Sequence, residues 1–153
     1  MASIVSTVSI VGPAVAVFDL ITAARFWPEW HPASRAVGGV TQRPYQLGDL
    51  IHERGEVSGI SFQIRWKVVE HVRPVRVVLQ AETLPFRIIY AFHTRNATTE
   101  FRRELEYDAA AFTAVGDPEA MGRLLHAQSE EALRRLKELV ERILGAESEV
   151  AIG

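Results

Sequence analysis

The chain has 153 residues, 48% of them apolar and 24% charged, with seventeen Lys or Arg against nineteen Asp or Glu for a formal charge of −2. That length suits one domain over residues 1–153 that buries about two thirds of its unfolded surface, and the composition is that of a globular protein, neither disordered nor membrane-embedded. No basic stretch is present to neutralise phosphates, so nucleic acid is not an expected partner, and with no cysteine the chain has no disulfide, thiolate nucleophile or zinc–thiolate site.

From Met1 to Val11 β-branched residues alternate with polar ones, which favours a strand and lacks the basic start and apolar run of a signal peptide. The expected location is cytoplasmic, without integral membrane association. Gly12-Pro13 ends the strand, and Pro13 suits the first turn of a short amphipathic helix on Val15, Phe18 and either Leu20 or Ile21, reaching about Thr22. A Trp-rich corner follows, Phe26-Trp27-Pro28-Glu29-Trp30-His31-Pro32, whose prolines confine Trp27 and Trp30 to a tight helical turn.

The middle of the chain reads as antiparallel hairpins, because strand-like runs are separated by Gly38-Gly39, Pro44 to Gly48, Ser58-Gly59, Arg73-Pro74, Leu84-Pro85 and Arg95-Asn96-Ala97. In the clearest run Ile60, Phe62, Ile64, Trp66 and Val68 share a buried face and Ser61, Gln63, Arg65 and Lys67 a wet one. The same alternation puts Phe86, Ile88, Tyr90 and Phe92 on one face of a later strand, and Thr99, Phe101, Arg103, Leu105 and Tyr107 on one face of the last.

Asp117 is an N-cap, Pro118 fits the first helical position and Glu119 sits at the positive end of the helix dipole. Met121, Leu125, Ala132, Leu136, Leu139 and Ile143 form an apolar stripe. Glu130 with Arg134, Lys137 with Glu141 and Glu138 with Arg142 are four apart on the other face, and Gly145 reads as the helix end. Such a helix has roughly 27 residues and spans about 40 Å. This order of parts predicts an α+β fold in which a curved antiparallel sheet of about seven strands grips the long helix, with two short helices after the first strand. A sheet too bent to lie flat on one helix leaves a cavity, where small apolar molecules bind.

The chain here resembles the helix-grip superfamily of START domains, plant pathogenesis-related and birch-pollen-allergen proteins, and bacterial polyketide cyclase/dehydrase-like (SRPBCC) proteins, the last group most of all. The resemblance is carried by Gly12-Pro13, the Trp corner, Leu47-Gly48-Asp49 and Val68-Val69-Glu70-His71-Val72-Arg73-Pro74-Val75-Arg76. It covers nearly the whole chain and is specific for fold and weak for function, since these are structural corners without shared catalytic residues. One departure is Asn96-Ala97-Thr98-Thr99, where many relatives turn on Gly-Thr-Arg. It leaves two registers for the last strand, one residue apart, and only one turns Arg103 inward.

Ile51, Gly55 and Val57 share a face with Glu53, so that carboxylate points inward and needs a partner, for which Arg103 is the nearest inward candidate. Glu53 then reads either as a general base or ligand anchor, with Arg103 holding an oxyanion, or as half of a structural ion pair. Trp66 and Tyr90 suit a pocket wall with one polar tip each, or a core. Gln128 and Ser129 fall near the helix stripe where a solid core prefers Leu or Ala, so either at least one of them faces a cavity or both sit on the shoulder of the stripe and touch water. His31 is a turn residue near one end of that cavity. His31, His52, His71, His93 and His126 have no metal-site spacing, and neither a metal nor a cofactor is expected.

Two functions follow as expectations. The first is a binding module for a small hydrophobic or aromatic ligand (lipid, polyketide or isoprenoid class), lined by Trp30, Phe62, Ile64, Trp66, Leu84, Phe86, Tyr90, Phe92, Met121, Leu125 and Gln128. The second, implied by the resemblance, is a cyclase or dehydratase of polyketide-like substrates using Glu53, Arg103 and Tyr90. The heat-shock co-chaperone activators that share the fold form a third class, which needs an exposed partner surface. A homodimer is left open.

Overall fold

The computed structural model describes residues 1–114 and 116–152, without the side chains of residues 148–152. β1 (Ala2–Val11) turns at Gly12 into α1 (Ala14–Ile21). A 3-10 turn (Ala24–Phe26) then leads into the one-turn helix α2 (Trp27–Trp30). Six strands follow: β2 (Ser34–Gly39), β3 (Leu50–Val57), β4 (Ile60–Val72), β5 (Arg76–Ala81), β6 (Phe86–Arg95) and β7 (Thr98–Tyr107). A second 3-10 turn (Ala109–Phe112) precedes the long helix α3 (Pro118–Ile152). The strands form one antiparallel sheet in the order β1-β7-β6-β5-β4-β3-β2, so α1 and α2 carry the chain from one edge to the other.

Successive strands from β2 to β7 are neighbours because their connections are short. Ser58 (φ 54°) and Gly59 (φ 80°) make the two-residue turn between β3 and β4, whose twist matches that of the strands. Asn96 takes φ 56° between β6 and β7, doing without a glycine what a glycine turn would do. The register is therefore kept: Arg103 lies beside Tyr90 on β6 and beside Ser6 on β1, and it is buried facing inward. The curl is reinforced where one extra residue interrupts the ladder, between Ser34 and Ala36 on β2 and between Val68 and Glu70 on β4.

The core is dry at one end. Ile10, Phe18, Val77, Leu79, Phe92 and Phe101 meet Leu133, Leu136 and Val140 of α3 there, each fully or nearly fully buried. Full burial of one such side chain is worth about 1.5–3 kcal/mol. Asp117 caps α3 as expected, its Oδ1 accepting from the Glu119 N–H at 3.2 Å.

Four expectations need correction. The buried face of α1 is Val17, Phe18 and Ile21, with Val15 45% exposed, because the helix starts at Ala14 and its phase follows from there. α3 runs through Gly145 to Ile152, 35 residues in all; with no proline following and good helix formers on both sides, one glycine costs only about 1 kcal/mol. On its wet face Arg134 bonds Glu131 and Glu138, while Glu130 faces His126. Lys137 and Glu141 do pair, at 2.6 Å. Phe92 packs between Phe18 and Phe101, with ring centroids 4.9 and 5.1 Å away, and so belongs to the dry end.

Gly55 sits opposite Ser34, where β2 bends closely over β3. A Cβ there would lie 2.1 Å from the Ala33 carbonyl oxygen, which already accepts the Glu56 N–H at 2.9 Å, and 2.4 Å from Phe62 Cζ. Phe62 can swing aside, but the backbone carbonyl cannot. Gly55→Ala is expected to destabilise the fold by about 1–3 kcal/mol in urea denaturation, and an unchanged midpoint would contradict this packing.

Candidate functional site

A cavity of about 250 Å³ lies between the N-terminal turns of α3 and the concave face of the sheet. β4 supplies Ile60, Phe62, Ile64 and Trp66 by strict alternation, β6 supplies Phe86, Ile88 and Tyr90, and β7 supplies Arg103 and Leu105. Met121, Leu125 and Gln128 come from one face of α3, Glu53 and Val57 from β3, and Trp27, Trp30, His31 and Ala33 from the Trp corner. Ile60 and Leu84, 41% and 38% exposed, mark the mouth. Tyr90, Arg103 and Trp30, all buried, mark the inner end.

Most side chains expected at a cavity thus border this one: Trp30, Phe62, Ile64, Trp66, Leu84, Phe86, Tyr90, Met121, Leu125 and Gln128, together with Glu53 and Arg103. Phe92 does not. The sequence reading missed Trp27, Ile88, Leu105 and Phe112 as lining residues. Ile88 and Leu105 could have been found, since each lies on an inward face already counted out. Phe112 stacks on Phe86 at 5.7 Å from a 3-10 turn started by Asp108, whose carboxylate accepts the Ala110 N–H at 3.0 Å. Its signal was a capping Asp ahead of an Ala run ending in one aromatic.

The polar groups are arranged around two separate centres. Glu53 Oε1 accepts the Trp66 indole N–H at 3.1 Å across the β3–β4 pair. Arg103 belongs to a row across three strands, Ser6, Arg103 and Tyr90, that faces α3. Ser129 Oγ takes hydrogen bonds from Ser6 Oγ at 2.9 Å and from Arg103 Nη1 at 3.3 Å, so Ser129 fastens the helix to this row. The expected Glu53–Arg103 ion pair does not form, because β6, β5 and β4 lie between their strands, four spacings of about 4.8 Å along the sheet. Arg103 acts on Glu53 only through its field.

Burial raises the Glu53 carboxyl above its ordinary value, opposed by the Trp66 indole, the nearby Ser34 hydroxyl and Arg103. Burial likewise raises the Tyr90 and Tyr45 hydroxyls, so both are neutral at physiological pH. His31 is pushed well below its usual range, first by burial and then by Arg103 and Arg135. Its Nδ1 accepts the Ala33 N–H at 3.1 Å, which makes it a neutral imidazole with the proton on Nε2. The site can therefore hold an apolar body and present a cation, a carboxyl and neutral donors to its polar end.

A bent sheet holding one long helix over a cavity defines the helix-grip class. A family model described as polyketide cyclase / dehydrase and lipid transport matches residues 1–141, and the chain belongs to that family. Among solved structures, TTHA0849 from Thermus thermophilus is similar with a TM-score of 0.74 at 12% identity, over 91% of this chain and 97% of that one. A START superfamily protein from Mycobacterium smegmatis gives 0.71 at 14% identity, over 92% and 98%. The di-domain ARO/CYC BexL from the BE-7585A biosynthetic pathway gives 0.69 at 21% identity over 92% of this chain, which spans 50% of that longer one. At these identities the likeness shows the fold. No curated protein sequence matches the chain. Among the described residues no helix is long and apolar enough to cross a membrane, and no group of three His, Asp or Glu could hold a metal ion.

The raised Glu53 carboxyl gives a pH test. A carboxyl whose folded value lies above its unfolded one contributes stability that is full below the ordinary value near 4.5 and is lost as pH rises through the folded value. Glu53→Gln keeps an acceptor for the Trp66 N–H and carries no charge. Its urea midpoint is expected to exceed that of the wild type at about pH 8, with the gap narrowing toward about pH 4. A gap independent of pH would show that Glu53 ionises as freely in the folded chain as in the unfolded one.

Proposed function

We propose that the protein binds a small hydrophobic or aromatic molecule of the lipid, polyketide or isoprenoid class in this cavity. The observation that carries the reading is an apolar hollow of about 250 Å³, walled by Phe62, Ile64, Ile88, Leu105 and Leu125, beside the cluster of buried side chains that forms the core. Family membership supports it, since the family's description covers both polyketide chemistry and lipid transport. Burying the ligand's apolar surface supplies the affinity at roughly 25 cal/mol per Å², less the entropic cost of association.

A second reading, a cyclase or dehydratase acting on a polyketide-like substrate, is favoured by one observation. The Glu53 carboxyl faces the cavity and is raised above its ordinary value, the direction general acid–base catalysis needs. Arg103 and Tyr90 would stabilise the enolate. The two readings separate on Glu53→Gln: a cyclase loses turnover and keeps affinity, whereas a binding module shows no turnover in either form.

Native mass spectrometry of freshly purified protein, with naphthalene binding followed by tryptophan fluorescence, tests the binding reading. A carried small molecule or saturable naphthalene binding is expected, and Leu105→Trp, which fills the hollow, is expected to weaken naphthalene at least about tenfold. A bare chain that also ignores naphthalene would overturn it.

A further inference from the structure

Arg103 is 6% exposed, and its guanidinium meets no carboxylate within ion-pair distance among the described residues. Nη1 reaches Ser129 at 3.3 Å, the neighbouring Tyr90 hydroxyl offers only a neutral oxygen, and Nε has no partner. A guanidinium carries five N–H donors and cannot shed its charge, and a buried cation left alone is costly unless a counter-charge arrives. The Trp30 indole N–H, on a side chain that lines the same cavity, is also buried without an acceptor, and that of Trp27 has only the neutral Tyr45 hydroxyl beside it. Gln128 Oε1 is the one orphaned acceptor among the lining residues. Among the described residues the inner end therefore offers several donors and, as acceptors for them, only neutral oxygens.

Resting on the binding reading above, we infer that the ligand is an organic carboxylate held head-first, its carboxylate on the Arg103 guanidinium and its hydrocarbon part toward the mouth between Ile60 and Leu84. A carboxylate is acceptor-only and matches the guanidinium fork with two parallel bonds. Among the described residues Arg103 is the only cationic side chain that lines the cavity, because His31 accepts the Ala33 N–H and is neutral. One positive charge balances a carboxylate and would leave a phosphate dianion half compensated. Glu53, the only carboxyl-bearing side chain among the described lining residues, is engaged with Trp66 on the other wall and makes no contact with Arg103. The volume fixes the size: about 250 Å³ is the share of roughly eight waters, so the ligand has on the order of ten heavy atoms, one ring with a short chain or a short aliphatic acid.

Cinnamate and cinnamyl alcohol, which share a body and differ in the head group, test this by isothermal titration calorimetry at neutral pH. Cinnamate is expected to bind the wild-type chain at least about tenfold more tightly, a difference of about 1.4 kcal/mol. In Arg103→Met its affinity is expected to fall to that of the alcohol. Equal or tighter binding of the alcohol by the wild type overturns the assignment whether or not the variant folds, as does a preference that survives in Arg103→Met. If naphthalene binds and cinnamate does not, only the carboxylate assignment falls. If naphthalene fails as well, the binding reading falls with it.

Discussion

Curvature governs this molecule. A seven-stranded antiparallel sheet that twists and also bends at two bulges presents a concave face wider than one helix can cover, whatever side chains line it. The sequence answers this constraint differently at the two ends of α3. Toward its C-terminal half, Leu133, Leu136 and Val140 reach into aromatic rings from β6, β7 and α1 and close the gap. Toward its N-terminal half, Met121, Leu125 and Gln128 stop short, and a hollow remains. The cavity is thus a product of geometry that side-chain choice has preserved, since larger residues at Leu105 or Leu125 would have filled it.

The transition between the halves is polar. Ser129 is buried on α3 and satisfies both Ser6 on the edge strand and Arg103 on its neighbour. An Ala in its place would pack as well but would leave Ser6 and Arg103 without these bonds, at the cost of desolvated donors. Arg103 is in this respect tied to the scaffold by one nitrogen while its side chain lines the cavity. Glu53 stands across the sheet with its own partner, Trp66, so the cavity keeps a cation and a carboxyl group that make no contact with each other.

Much of this was legible in the sequence because it is written in short-range signals. The alternation in Ile60 to Val68 and in Thr99 to Tyr107 gave the inward faces, and Ser58-Gly59 and Arg95-Asn96-Ala97 gave the turns. Arg103 could be placed inward from period alone once Asn96 was granted the left-handed conformation that Asn tolerates. What escaped depends on distance across the sheet or on phase. Glu53 and Arg103 face the same hollow, but no sequence spacing shows that three strands separate them. Phe92 follows the same alternation as Tyr90 and yet belongs to the dry end, because what decides is where along the sheet α1 and Phe18 press in. Tyr45, in a loop read only as a connection, is fully buried, its N–H bonded to the Thr22 carbonyl at 3.1 Å.

The division of α3 at Ser129 also has a dynamic side. Cooperative protection of a helix comes from the apolar contacts behind it, and its least supported turns open at the least free energy. From Ser129 to Leu144 the helix is backed by a packed core, whereas from Pro118 to Gln128 it borders a hollow and includes Gly122, a weak helix former. The turns that roof the cavity are therefore less protected than the packed turns that follow them. Anything occupying the hollow supplies the backing they lack, so occupancy and helix order in that segment are thermodynamically linked.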